Sequence, residues 1–251
     1  MALRPQARAA AIDARAYGLD QARVDEGLRQ HMLRIYNYMA TGLAISGLVS
    51  WLIANTALQS LFFQTTPDGR LGFTALGMIG MFAPLGMLFL AMFVRNMSAG
   101  ATQAFYWAFV ALQGVGLSIL LMTYTSESVV RVFLITASAF AGLSLFGYTT
   151  KRNLSGFGQF LLMGLIGLII AMVVNIFFPS SMLTFVISVA GVLIFAGLIA
   201  FDTQRLKNEY VGGLVQGGDS ATIHAVWGAL SLYISFINLF QFLLMFLGNR
   251  E

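Results

Sequence analysis

Long apolar runs alternate with short polar segments along most of the chain. Seven of these runs approach the roughly 20 apolar residues that an α-helix needs to cross a bilayer. They are Ile35–Ala54, Gly72–Val94, Ala104–Tyr124, Val129–Thr150, Phe157–Phe178, Met182–Phe201 and Thr222–Leu247. The pattern predicts an all-α integral membrane protein with seven transmembrane helices.

Two connections between predicted spans are short enough to be hairpins. The uncharged block from Phe157 to Phe201 is about twice the length of one span, and Pro179-Ser180-Ser181 divides it. Thr125-Ser126-Glu127-Ser128 alone separates the third run from the fourth. Each pair of runs is therefore predicted to be antiparallel neighbours.

The composition agrees with a membrane protein and excludes several kinds of site. Hydrophobic residues make up 58% of the chain and charged residues 10%, against about 25% charged in soluble domains. Cysteine is absent, which excludes disulfides and thiol chemistry. His31 and His224 stand far apart, and the sequence contains no enzyme motif that we recognise. We predict neither an enzyme nor a bound cofactor, and no nucleic-acid partner.

The polar segment before the first run is predicted to be a cytoplasmic tail. Residues 1–34 carry six arginines and four acidic residues, and residues 35–248 form the predicted seven-helix domain. The tail is either a solvated segment or a segment that docks on anionic lipid through its arginines.

The basic residues predict an orientation. Lys and Arg concentrate in the tail and in alternate loops, which places that side in the cytoplasm. These loops contain Arg95, Lys151, Arg152, Arg205 and Lys207, whereas the opposite side has Arg70, Arg131 and Arg250. We expect a multi-pass protein of the cell inner (plasma) membrane, with the N-terminus cytoplasmic and the C-terminus outside.

Asp202 stands at the end of the sixth apolar run. An ionisable group at such a position is either functional or simply marks where the helix leaves the bilayer. The predicted topology puts Arg95, at the end of the second run, at the same membrane boundary. An ion pair between Asp202 and Arg95 could close that end of the bundle, or both could merely flank helices, because arginine snorkels readily.

The seventh run combines an apolar surface with a polar stripe. Ser231, Ser235 and Asn238 recur at spacings of four and three and share one helical face, while Tyr233 and Gln241 lie on other faces. Such a helix suits a central position among other helices. The stripe either lines a path or joins helices by hydrogen bonds.

Small residues recur at four-residue spacings that permit close helix contact. The pairs are Ala40 with Ala44, Ser46 with Ser50, Ser138 with Gly142, and Ala196 with Ala200. They indicate a compact bundle without specifying which helices pair.

Two motifs resemble those of the Bax inhibitor-1 family, also called the transmembrane Bax inhibitor motif family. Phe201-Asp202-Thr203-Gln204 ends the sixth run, and Leu230–Phe240 forms the centre of the seventh. The resemblance covers about Arg29 to Gly248. It implies a fold of six helices around a central hydrophobic seventh. It also implies the pH-sensitive calcium leak described for bacterial members.

The resemblance assigns roles to individual residues. Family members carry an aspartate at the end of helix six and another in helix seven, which share a proton, and an arginine at the end of helix two that can engage the first. Asp202 matches the first aspartate and Arg95 matches the arginine by position. Ser235 stands where the second aspartate is usual, in Leu232-Tyr233-Ile234-Ser235-Phe236-Ile237-Asn238. A coupled carboxylate pair is therefore not expected.

The same departure affects calcium binding. Calcium prefers six to eight oxygen ligands, usually with several carboxylates. Asp202, Ser235, Tyr233 and Asn238 could supply oxygens but only one charge, so Asp202 is at most a weak calcium ligand.

These observations predict a calcium or other cation leak channel, pH-sensitive and gated near Asp202, Arg95 and Ser235, with Ser231, Tyr233 and Asn238 as supporting polar groups. The alternative is a non-transporting membrane regulator that binds a membrane protease or another membrane partner. A secondary transporter is disfavoured because no internal repeat is evident.

Overall fold

Helices account for almost all regular structure in the chain. The computed structural model describes residues 5–66, 71–93, 97–213, 215 and 217–249, with the backbone alone at 5–23, 71, 92 and 93. The helices are α1 (Pro5–Asn55), α2 (Gln59–Phe62), α3 (Ala75–Phe93), α4 (Ala99–Thr123), α5 (Ser126–Thr149), α6 (Ser155–Phe177), α7 (Ser181–Val211) and α8 (Asp219–Leu247).

Six helices of the described chain are long and apolar enough to cross a membrane. They are α1 from Val24 onward, α4, α5, α6, α7 and α8. The second predicted run forms α3, whose apolar part, Ala75–Ala91, is shorter. The all-α membrane fold is confirmed at this level.

A small β-ribbon stands where the second span was predicted to begin. β1 (Phe63–Thr65) pairs antiparallel with β2 (Leu71–Phe73), so Gly72 lies in a strand and α3 begins only at Ala75. The Thr74 hydroxyl accepts a hydrogen bond from the Gly77 N–H at 3.0 Å and so caps the first turn of α3. The predicted start at Gly72 was wrong because strand pairing satisfies the backbone of these residues.

The predicted hairpin between α6 and α7 is confirmed, because these helices follow a short turn and pack against each other. α6 ends at Phe177 and α7 begins at Ser181, with Ser180 accepting from the Leu183 N–H. Asn175 strengthens this turn, because its amide oxygen accepts from Ser180 N at 3.2 Å and its amide nitrogen donates to Thr184 at 3.1 Å.

The connection from α4 to α5 is as short as predicted, with Thr125 capping α5, but α4 packs on α1, α3 and α8 and hardly contacts α5. The prediction that these two helices pack as neighbours was wrong, because a short connection does not fix the angle between the helices it joins.

α7 continues well beyond its predicted end. The helix runs ten residues past Phe201 and stops at Val211, where Gly212 and Gly213 follow and Gly213 takes a positive φ of 74°. Arg205 and Lys207 were predicted to lie in a loop, but they lie in the helix. The prediction was wrong because loss of hydrophobicity marks the end of an apolar run, whereas a helix ends at a conformational breaker.

The core of the molecule centres on α8. In the apolar stretch of α8, 61% of the residues are buried, compared with 11–39% in the other five candidate spans. It packs against α7, α1, α5 and α4, and Leu232, Tyr233 and Leu244 are inaccessible to solvent. A helix that is apolar nearly all round is stable in such an enclosed position.

Candidate functional site

Asp202 is a buried carboxylate in contact with α8. It is 8% exposed. Its Oδ2 accepts a hydrogen bond from Ser231 at 2.9 Å and a longer one from Ser235 at 3.5 Å. Because a buried charge is costly unless it is paired and hydrogen-bonded, these contacts explain how α7 accommodates an aspartate there.

Arg205 supplies the positive charge beside Asp202. Its Nη2 lies 2.9 Å from Asp202 Oδ1 and donates to Ser231 Oγ at 3.2 Å, while its Nε lies 3.9 Å from Glu209. Sequence reasoning missed this pair. The signal was the spacing of three, which places Asp202 and Arg205 on one helical face once the helix continues past Phe201.

Arg95 lies outside the described residues. Its predicted pairing with Asp202 stays a prediction. Among the residues that the structure describes, Arg205 is the cation that contacts this carboxylate.

The two residues after Asp202 attach α7 to other parts of the bundle. Thr203 hydrogen-bonds Ser144 of α5 at 2.9 Å, and Ser144 in turn contacts the Tyr36 hydroxyl of α1 at 3.0 Å. Gln204 accepts from Leu154 N and donates to the Arg152 carbonyl, both at 2.8 Å. The Asp202-Thr203-Gln204 motif therefore connects α7 to three different neighbours.

The predicted polar stripe divides into separate parts. Ser231 and Ser235 meet Asp202, whereas the Asn238 amide donates to the Ile234 carbonyl at 2.8 Å. Asn238 also lines a cavity of about 180 Å³ between α3, α4 and α8, together with Gln113 of α4.

Tyr233 faces away from the carboxylate. Its hydroxyl hydrogen-bonds Ser46 of α1, whose Oγ lies 2.7 Å from the Val110 carbonyl of α4. Tyr233 therefore joins α8 to α1 and α4. These contacts favour the interpretation that Tyr233 joins helices by hydrogen bonds.

The donor set around Asp202 does not suit a resident calcium ion. One carboxylate and two hydroxyls offer few of the six to eight oxygens that calcium prefers, and the Arg205 guanidinium repels a cation. Across the part of the chain that the structure describes, no group of three or more His, Cys, Asp or Glu could hold a metal ion.

Comparison with known proteins places the chain in a family. It matches the family described as "Inhibitor of apoptosis-promoting Bax1" over residues 28–251. It is 51% identical over 233 residues to an uncharacterized protein of Caulobacter vibrioides, covering 91% of this chain and 92% of that protein. It is 38% identical over 228 residues to the inner membrane protein YbhL of Escherichia coli, covering 90% and 94%. The chain therefore belongs to the Bax inhibitor-1 family, which its two sequence motifs indicated.

Proposed function

We propose that this protein is a pH-sensitive cation leak channel in which the contact between Asp202 and α8 is the latch. Calcium is the proposed permeant ion, as transported cargo. The observation that carries the proposal is a buried aspartate held by two hydroxyls of the central helix and by one arginine.

The sign of the pH response follows from the charges around the latch. In the described part of the chain, Asp202 is contacted by Arg205 on α7 and by the neutral hydroxyls of Ser231 and Ser235 on α8, and Glu209 lies beside Arg205. At high pH the carboxylate is charged and accepts all three contacts, so the latch holds. As the pH falls and the carboxyl protonates, the ion pair with Arg205 is lost and the leak increases.

The cavity at Asn238, which has a mostly apolar lining with a few polar groups, supports a route beyond the latch. Ser235 lies about one helical turn from Asn238, and the cavity contains Gln113 and Tyr233 as further polar groups. α3 closes one side with Pro84, which interrupts its helical hydrogen bonding. In the proposed mechanism, α3 is the helix that moves to join this cavity to the latch. Arg95, two residues beyond α3 in the sequence, keeps its predicted role as a partner of Asp202.

The proposed placement in the cell has seven crossings, with α3 as the second and α8 enclosed by the other six. Residues 1–34 form the cytoplasmic tail and residues 35–248 the membrane domain, with the C-terminus outside. The excess of basic residues on one side supports this orientation. The name of YbhL as an inner membrane protein supports the inner membrane as the location.

Flux in liposomes tests the latch. With a calcium dye inside, we expect Asp202→Asn to raise flux about tenfold to a hundredfold at neutral pH and to remove its pH dependence, because a charge-assisted contact contributes about 1.5–3 kcal/mol. Arg205→Gln should also raise flux but keep a pH response, since the carboxyl remains. Lys151→Gln, an exposed charge outside the latch, is the matched control.

Two results would contradict the proposal. A wild-type pH profile in Asp202→Asn would show that the carboxyl is not the sensor. The second is that liposomes containing folded wild-type protein are no more permeable to calcium, sodium and potassium than empty liposomes. That result would contradict the proposal of a leak channel and would favour the non-transporting regulator.

A further inference from the structure

A groove opens between α1 and α5, whose residues form its two walls. α1 packs mainly on α4 and α8, and α5 mainly on α7 and α8, so the two helices diverge over α8. The groove between them has a volume of about 710 Å³, and Phe236 of α8 forms part of its floor.

The groove has the polarity and length of a lipid chain. Its walls are almost entirely apolar, and Leu33 and Leu145 at its edges are exposed at 47% and 63%. The stretch from Arg29 to Leu43 rises about 21 Å along α1. This exceeds the roughly 15 Å depth of one hydrocarbon leaflet, so the groove can hold an acyl chain lengthwise.

Charged groups of both signs stand at one end of the groove. Arg29 and Asp25 of α1 and Tyr148 of α5 line this end of the groove, which we call its mouth. Lys207 joins them from α7, because its Nζ donates to the Tyr148 carbonyl at 2.7 Å and lies 5.3 Å from the centre of the Tyr148 ring. Among the residues whose side chains the structure describes, Arg29 pairs with Glu26 one turn away, at 3.4 Å and in an exposed position, which is a weak contact.

The charges at the mouth match a zwitterion better than an anion. Arg29 and Lys207 can both donate to a phosphate, and Asp25 can accept from an ammonium group. With Glu26 included, positive and negative charges balance, so an anionic headgroup gains no net attraction from this set of residues.

We propose that the α1–α5 groove is a binding site for a phosphoethanolamine lipid, with one acyl chain in the groove, its phosphate between Arg29 and Lys207, and its ammonium at Asp25. The site stands independently of the proposed leak, because none of its ligands contacts Asp202 among the described hydrogen bonds and ion pairs.

Photo-crosslinking in vesicles tests this site. The probes are phosphatidylethanolamine and phosphatidylglycerol carrying a diazirine in one acyl chain, each at trace level in phosphatidylcholine vesicles that contain the full-length protein. We expect the ethanolamine probe to label residues 32–43 and 133–145. Unlabelled phosphatidylethanolamine should compete, and the glycerol probe should label these residues about tenfold less.

Substitutions on both walls separate a binding site from general lipid contact. Ala40→Phe and Ala141→Phe fill the groove from opposite sides and should abolish labelling. Ser138→Phe adds the same ring to an exposed position of α5 outside the groove and should not change it. Asp25→Asn should remove the preference for ethanolamine over glycerol.

The proposal is overturned if folded Ala40→Phe and Ala141→Phe proteins label as the wild type does. Equal labelling of the wild type by both probes, or no competition by unlabelled lipid, would overturn it as well. These last two measurements need no variant, so misfolding of a substituted protein cannot leave the site untested.

Discussion

At the scale of single residues, Ser235 sets the charge that Asp202 meets on α8. Ser235 is 4% exposed, and its hydroxyl lies 3.5 Å from Asp202 Oδ2. A second carboxylate at this position would face the first at close range, where two negative charges cannot both form cheaply. With a hydroxyl there, Asp202 titrates alone, and its charge is balanced by Arg205 instead.

Ser235→Asp should restore a coupled pair. We expect the pH dependence of calcium flux to broaden from one step into two separated steps, because repulsion between two close carboxylates makes the pair lose its protons one at a time. Ser235→Asn has nearly the same size without the charge and should keep the one-proton profile. Flux in liposomes between pH 5 and pH 8 measures the profile. Equal profiles in the two variants would contradict the coupling.

At the scale of helices, α7 organises the bundle through close contacts with α5 and α8. The predicted small-residue pair Ala196 and Ala200 lies on this helix, and a Cβ built on Gly147 of α5 would overlap the Ala200 carbonyl oxygen. The predicted pair Ser138 and Gly142 instead faces outward. Spacing alone did not distinguish a contact from an exposed surface, because both have the same sequence pattern.

Gly147→Ala should destabilise the protein by about 1–3 kcal/mol, because the new methyl group meets backbone that can move only if α5 and α7 separate. The same change should weaken the Ser144–Thr203 hydrogen bond one turn away. Gly142→Ala is the matched control, since a Cβ there meets nothing within 4 Å. Thermal unfolding of the detergent-solubilised proteins measures both, and equal unfolding temperatures would contradict the close contact.

At the scale of the whole molecule, the absence of cysteine permits a direct test of orientation. Asn153 lies between α5 and α6, and Glu127 lies in the first turn of α5 at the other end of that helix; both are exposed. In intact spheroplasts, a membrane-impermeant maleimide should label Glu127→Cys and not Asn153→Cys.

In inverted vesicles the pattern should reverse. Labelling of Asn153→Cys from outside intact spheroplasts would reverse the proposed topology. It would also move the Asp202 end of α7 to the external face, because Gln204 hydrogen-bonds Arg152 and Leu154, on either side of Asn153.

The sequence alone determined the membrane class, the approximate positions of the apolar helices, the family and the choice of Asp202. These follow from local properties, since each apolar run and each motif can be identified without knowing its neighbours. The tertiary structure decided what surrounds Asp202. Ser231 and Ser235 reach it only because α7 and α8 pack together, and Arg205 reaches it only because α7 continues past its apolar part. The α1–α5 groove likewise depends on how two helices diverge over a third, which no single stretch of sequence specifies.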